Sequence, residues 1–477
     1  MEENPNPSSD LGAPPGTADS DSELTLSDEE GYVGDTLTIS GRNLEPGREY
    51  EIVWHSSEGR WGIVEGNEVI GPQFKPRQEG IATVEADDSG AFDEEWTVQE
   101  DYGGPHTVQI MTQSGRALDQ ATYHITPWFE LDRTEAPLGD FFTVTGYGLG
   151  PRATKNNYQV TWDNGYVGFM TGVLKHGTAM ARIRAVGPPG EHTLQVWRNY
   201  QGIPYLSNNT QSPFGPVAGG RTSAWTVEVT EPEEPPEIAW TEDVYDESPI
   251  DLHYPDLDED TEAELEITPQ SGPPGTSTFI TGENFPPNEE VDLIWYRHVG
   301  AGIRGPDILP EPRPDVLPTA TTDDNGRFQV EVEIPTTQGS TRPIVAEVDG
   351  KSVAVTGFMV KPKIETFEPR SGPVGTEIEI ELSGVGWTSY ENSPYFIYDN
   401  KAFGYAAESA DAESDTVRIV IRASGEPGWH FIDVVPSITA MKEDEPEFER
   451  KPHLSYLHNH PMRVLPGMHM AFEITEE

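Results

Sequence analysis

Four histidines crowd the C-terminal end of the sequence: His453, His458, His460 and His469. Imidazole is the commonest metal ligand. On a strand, His458 and His460 would turn both rings to one side, and with His453 they form a candidate metal trio. The plainer reading is a polar, Pro-punctuated, exposed segment. A second pattern is Gly-x-His, found at Gly104-Pro105-His106, Gly190-Glu191-His192 and Gly428-Trp429-His430. Catalysis needs such a group once. Three copies point instead to a role in the fold, each ring bonding backbone near a strand start. A fourth place reads Ser340-Thr341-Arg342, so the histidine is replaceable. The pairs Asp87-Asp88 and Asp323-Asp324 precede Ser89-Gly90 and Asn325-Gly326. Their spacing does not meet a calcium loop with its distant bidentate Glu. It suits the positive φ angles of a tight hairpin.

Residues 199–221 form a Gly/Pro/Asn-rich segment longer than ordinary connections, and such loops are often functional. It carries the candidate binding aromatics Tyr200, Tyr205 and Phe214, and Asn208 begins a glycosylation sequon. Sheet edges are a further place where a partner can add a strand. No GxSxG, phosphate loop or HExxH is present. With 83 Asp and Glu, closeness of two carboxylates says little. The expectation is a non-enzymatic protein with no catalytic residues and no cofactor beyond structural cations on an acidic surface.

The elements that would position these residues are set out by one repeated stretch, clearest as ITPQSGPPGTSTFITGENF from Ile267 to Phe285. It reads as strand, tight turn, strand, turn. Leu26, Leu131, Ile267 and Phe367 each stand eight residues before a glycine: Gly34, Gly139, Gly275 and Gly375. Seven residues on from the first three comes Gly41, Gly146 or Gly282. In the fourth copy the next glycine is Gly384, nine residues on, so a longer or bulged strand is expected there. A further strand recurs as Tyr50, Ile52, Trp54; Tyr158, Val160, Trp162; Val291, Leu293, Trp295; and Phe396, Tyr398. Period-two alternation ending in an aromatic marks a half-buried strand with a core anchor.

The four repeat glycines lie 105, 136 and 100 residues apart, about the size of one antiparallel sandwich. The expected fold is all-β, with four tandem immunoglobulin-like β-sandwiches in an elongated chain. Residues 1–23 form a flexible tether. The sandwiches span 24–127, 128–230, 265–362 and 363–477, the last with a C-terminal extension. Residues 231–264 hold fifteen Asp or Glu and no Lys or Arg, with prolines throughout. This reads as an extended linker between a front and a back pair of domains. Its apolar islands, Ile238-Ala239-Trp240 and Ile250-Asp251-Leu252-His253-Tyr254, are placed to dock on a neighbour.

The 477 residues carry 83 acidic and 30 basic side chains, a net charge of −53. Such self-repulsion destabilises a compact state in ordinary salt. At molar salt the Debye length falls to about 3 Å and the repulsion is screened. A salt-rich medium, hence a halophile, is the expectation. Nucleic acid is excluded as a partner, because phosphates would be repelled. Cysteine is absent, so disulfides and thiolate chemistry are too. No apolar run approaches a membrane span, and no charged-then-apolar leader stands at the start. That suits a mature exported chain or a virus structural protein.

The run Pro269-Gln270-Ser271-Gly272-Pro273-Pro274-Gly275-Thr276, with Ile280-Thr281-Gly282-Glu283-Asn284-Phe285, resembles the opening of immunoglobulin-like IPT/TIG domains, as does Pro369-Arg370-Ser371-Gly372-Pro373-Val374-Gly375-Thr376. The first two copies match less closely. The resemblance covers about a fifth of the chain. It implies a sandwich that binds or spaces, and it carries over no catalytic residue. The function expected is a structural or adhesive surface protein, a stalk or binding module with protein or glycan partners or self-assembly. The alternatives are a spike, turret or fibre of a virion and the accessory part of an extracellular enzyme.

Overall fold

The computed structural model describes residues 17, 20–64, 68–151, 158–172, 176–198, 221–242, 250–299, 311–385, 394–406, 416–438, 454–455 and 467–476. Among these the regular elements are strands in eight sheets. Each sandwich pairs a three-stranded sheet with a larger one. The first sets Glu23–Leu26, Thr36–Arg42 and Phe92–Thr97 against a sheet built on Glu49–Val64, Gly104–Thr112 and Ala117–Ile125. The other three repeat this plan within Trp128–Thr230, Glu264–Val360 and Lys363–Ile474. This is an all-β multidomain architecture, compatible with immunoglobulin-like sandwiches.

The repeated stretch stitches the two sheets of each unit together. Glu264–Thr268 pairs antiparallel with Ser277–Glu283, while Ser271–Gly272 between them runs parallel to Met359 and Val360 of the opposite sheet. The same bridge recurs at Glu30–Gly31, Glu135–Pro137 and Ser371–Gly372. The four repeat glycines that follow have φ of 94, 91, 83 and 89°, a region that L side chains avoid. Gly41 and Gly282 are glycines for a different reason. A Cβ there would meet Phe92 Cε1 or Phe328 Cε1 at 2.1 Å.

The fourth copy corrects the expectation of a longer strand. Glu377–Ser383 has seven residues, like Thr36–Arg42 and Ser277–Glu283. The register shift lies in the partner strand, between Ile364 and Thr366. Gly384, at φ 64°, answers to Asn43, Gly148 and Asn284, at 58, 64 and 63°. Leu382 stands where the others have the ring-covered glycine. The Asp-x-x-Gly turns are also not hairpins. Phe92–Thr97 and Phe328–Glu333 pair with the three-stranded sheets, whereas the strands before the turns belong to the larger ones. Each turn therefore crosses between sheets. Asp87 Oδ1 accepts from Ser89 N at 2.8 Å and Ala91 N at 3.0 Å, and Asp323 Oδ1 accepts from Asn325 N and Arg327 N at 2.8 and 2.9 Å. Only the glycines, Gly90 and Gly326, take positive φ.

Each unit has its own core. Trp54, Trp162 and Trp295 are buried in the first three, and Phe396 in the fourth. The aromatic ladder thus anchors sheet to sheet.

Candidate functional site

The Gly-x-His positions resolve into one recurring motif. His106, His192 and His430 each place Nε2 on the carbonyl four residues back: Tyr102 O at 2.6 Å, Pro188 O at 2.8 Å and Glu426 O at 2.8 Å. Each ring also stacks on the strand aromatic, at 4.6 Å from Trp54, 5.1 Å from Trp162 and 5.8 Å from Tyr398. In the third unit Arg342 does the same work, donating from Nε to Gln338 O at 3.3 Å. A side-chain nitrogen tied to the carbonyl at the strand start is therefore part of the fold. The other ring nitrogen faces a carboxylate in two copies, Asp163 and Asp399, both at 2.6 Å. Burial lowers the His430 pKa, but the Asp399 hydrogen bond and charge outweigh it, and the net shift is upward.

In the first unit Ser56, Asp101 and His106 lie close, but they are not ordered for nucleophilic chemistry. Ser56 Oγ donates to Asp101 Oδ1 at 2.5 Å, and Trp54 Nε1 donates to Oδ2 at 2.7 Å. Activating a serine requires the base beside the hydroxyl. Here the carboxylate sits there, and all three residues are buried.

Among the described residues a buried cluster of charge lies between the second and fourth units, on the strands Ala179–Arg184, Gly428–Ile438 and Met468–Ile474. Arg184 donates to Asp433 through Nε at 3.0 and 3.1 Å and through Nη2 at 2.6 Å, and to Gly139 O at 2.8 Å. His469 Nδ1 lies 2.6 Å from Asp433 Oδ1, and its Nε2 lies 3.1 Å from Glu242 Oε1. Arg182 closes the chain on Glu242 at 2.9 Å. Burial pushes the carboxyl pKa values of Asp433 and Glu242 up. The Arg184 charge and the His469 bond outweigh this at Asp433; His469 and Arg182 do so at Glu242. Both are held below their ordinary values.

Aromatic faces cover the cluster. Arg182 lies 4.1 Å over Phe141, and Arg184 lies 4.3 Å over Phe141 and 5.0 Å over Phe431. Ile397, Phe431 and Ala471 of the fourth unit pack into the core of the second. A cleft of about 390 Å³ beside it is lined by Phe141, Arg182, Trp240 and the carboxylates Glu233, Glu234 and Glu237.

The acidic linker is the third party to this junction. Ala239–Thr241 adds antiparallel to Met468–Met470. Trp240 packs 4.2 Å from the His469 ring. Ile250–His253 runs parallel to Trp61–Val64 of the first unit. Asp258 and Glu259 then bond Ser352 of the third unit, at 2.8 Å from Asp258 N to Ser352 Oγ and 3.2 Å from Glu259 N to Ser352 O. One linker thus contacts all four sandwiches, and both apolar islands supply a docked strand.

Of the histidines singled out from the sequence, His469 is buried in the junction. His453, His458 and His460 lie outside the described residues, as do Tyr200, Tyr205, Phe214 and Asn208. Among the described residues no three His, Asp or Glu side chains are placed to hold a metal ion. Sequence reasoning missed Arg182, Arg184, Glu242 and Asp433. A signal was there: Arg182-Ile183-Arg184 puts two scarce cations on one face of a strand.

No protein family matches the sequence, and no curated protein does. Solved structures give faint likenesses. Trypsin-activated alpha-2-macroglobulin from Escherichia coli is 10% identical over 95% of this chain, with a TM-score of 0.17. Salmonella alpha-2-macroglobulin reacted with methylamine is 9% identical over 96%, also at 0.17. Dimeric latent PorU from Porphyromonas gingivalis is 9% identical over 72%, at 0.17. The chain spans 42, 31 and 34% of those proteins' lengths. No helix among the described residues is long and apolar enough to cross a membrane.

Proposed function

We propose that this chain is a non-enzymatic extracellular structural or adhesive protein of a halophile, its sandwiches of the IPT/TIG kind. They act as a stiff stalk or binding module at a cell surface. The observation that carries this is the linker. A chain that merely spaced domains would leave 231–264 solvated. Instead it donates edge strands to two sandwiches and bonds a third, while the second and fourth close over a buried ion-pair network. Such stapling suits a part that must hold its shape. In this reading the acidic surface binds only structural cations, and the partners are protein or glycan surfaces.

The test is sedimentation of the purified chain at molar salt and again as salt is lowered, followed by a cell- and glycan-binding screen. A folded monomer at high salt that binds cells supports the reading. A closed or extended oligomer would turn it to an envelope or virion subunit. Turnover lost on a single carboxylate or histidine change would overturn it.

A further inference from the structure

We propose that the edge strand Thr416–Arg422 of the fourth sandwich takes an acidic, extended segment of a partner protein. The segment adds beside it as a further strand and sets its carboxylates against Arg418 and Arg422. This deepens the binding role proposed above by naming the partner's chemistry. The strand ends its sheet. Among the described residues it pairs only with Glu377–Ser383, so one row of backbone N–H and C=O groups faces outward. Such an edge is a ready template for another chain. Five of its seven residues are β-branched, and none is proline or glycine. The end strand Glu311–Val316 of the third sandwich differs, because Pro312 and Pro314 cannot donate.

The four sandwiches align at this strand through their own hydrogen bonds. Gly34 N donates to Val98 O, Gly139 N to Ala185 O, Gly275 N to Ile334 O and Gly375 N to Ala423 O. The N–H groups of Val98, Ala185, Ile334 and Ala423 return to the carbonyls of Asp35, Asp140, Thr276 and Thr376. Positions one, three and five residues before them, on the face away from the core, are therefore equivalent. They read Thr97, Glu95 and Asp93 in the first unit, and Arg184, Arg182 and Met180 in the second. In the third they are Glu333, Glu331 and Gln329, and in the fourth Arg422, Val420 and Arg418. Two of these strands carry acid and no base. The other two carry two arginines and no acid, in a chain with 83 acidic residues.

The second unit shows what an arginine pair does at this place. Arg182 meets Glu242, which directly follows the docked linker strand Ala239–Thr241, and Arg184 meets Asp433. The pair receives carboxylates, one of them from an extended acidic segment. The Arg184 side chain is 4% exposed there, whereas that of Arg422 is 70% exposed. Arg418 and Arg422 each bond a carboxylate of their own sheet, Glu379 and Glu377, both at 2.6 Å. A guanidinium carries five N–H donors in a fork, so it can take a second carboxylate from the open side. On a strand added there, every second side chain falls on the arginine face. Main-chain bonds supply the affinity, and alternating acids select the partner. A second copy centred on Val420 would set Arg418 against Arg422, like charges that disfavour a symmetrical pair.

The test uses the full chain at molar salt, where its net charge is screened. The probe is a fluorescein-labelled short peptide of alternating threonine and glutamate, with a threonine–lysine peptide as control. The acidic peptide is expected to bind and the basic one is not. Arg418→Ala combined with Arg422→Ala should weaken binding about tenfold, as the loss of two exposed ion pairs allows, and leave the unfolding midpoint nearly unchanged. Hydrogen exchange of the natural chain needs no variant. It should slow at the outward amides of Thr416–Arg422 when the acidic peptide is added. Equal binding of the two peptides, protection elsewhere, or an affinity unchanged in the double variant would overturn the proposal. So would a natural chain that pairs with itself through this strand in sedimentation, since the occupant would then be a second copy. A chain that takes the peptide and binds no cell or glycan sinks the reading above and leaves this inference standing. A chain that binds cells and refuses the peptide does the reverse.

Discussion

Arg184 and Asp433 are 249 residues apart and share three hydrogen bonds, all buried between the second and fourth sandwiches. The pair is also enclosed, by His469 on one side and by Phe141 and Phe431 on the other. Removing one partner leaves the other charged and dry, which costs about 3–5 kcal/mol. Arg184→Met or Asp433→Leu alone should therefore open the junction, seen as faster proteolysis of the linker and a larger radius of gyration. The double variant, which leaves no stranded charge, should recover most of the loss. If each single change moves neither readout, the junction is not what holds these units together.

The same cluster sets an acid limit. Asp433 and Glu242 have depressed carboxyl pKa values when folded, so they bind protons less readily than in the unfolded chain. Their stabilisation is present above the ordinary carboxylate range and is lost as pH falls below about 4. Equilibrium unfolding at fixed molar salt should show an acid limb that is shallower in Asp433→Asn. His430 behaves oppositely. Its raised pKa gives stability that is full below about pH 6.5 and fades as pH rises through the folded value. Asp399→Asn should remove that alkaline slope. Slopes unchanged in both variants would refute this account.

The Arg184–Asp433 pair also shows what a sequence can and cannot disclose. The repeat glycines were legible because a positive φ leaves a residue-type mark at fixed spacing. The aromatic ladder was legible because a strand alternates with period two. The fold role of His106, His192 and His430 followed from recurrence; the third copy showed only that the histidine is replaceable, and that Arg342 takes its place came from the structure. Gly384 misled because spacing was counted from glycine to glycine, whereas Asn43 and Asn284 hold the same left-handed place in other copies. The docking of residues 239–241 and 250–253 was half legible, as apolar islands in an acidic run. Their partner strands were not, since a register with a chain segment hundreds of residues away leaves no local pattern. Asp433 likewise looked like one carboxylate among 83.

The junction between the first two sandwiches rests on close backbone approach. A Cβ on Gly177 would meet Asp101 O at 2.4 Å, and one on Gly103 would meet Gly148 O at 1.9 Å. Neither neighbour is a side chain that can swing away. Gly103→Val should therefore separate these units and break the bond from Gly103 N to Leu149 O. Thr178→Ala, which loses a bond to Glu100 at the same junction, should cost only about 1 kcal/mol. Hydrogen exchange at Gly103 and Leu149 checks both, and equal protection in all three proteins would count against the argument.

Gly282 offers a test of the sandwich itself. Its place under the Phe328 ring leaves no room for a methyl group, with Cε1 2.1 Å from where a Cβ would stand. Phe328 is buried and meets Phe285 edge-on at 5.3 Å. Gly282→Ala must push that ring into a packed core, an overpacking cost of about 1–3 kcal/mol. Phe328→Leu alone should also destabilise, through lost volume. Combined, the two should cost less than their sum, because the smaller side chain gives the new methyl its space. That sign of coupling, measured by denaturant unfolding of the four proteins in the cycle, is the expectation. A sum that is simply additive would mean that the ring does not exclude the methyl, and the second glycine of the repeat would then need another explanation.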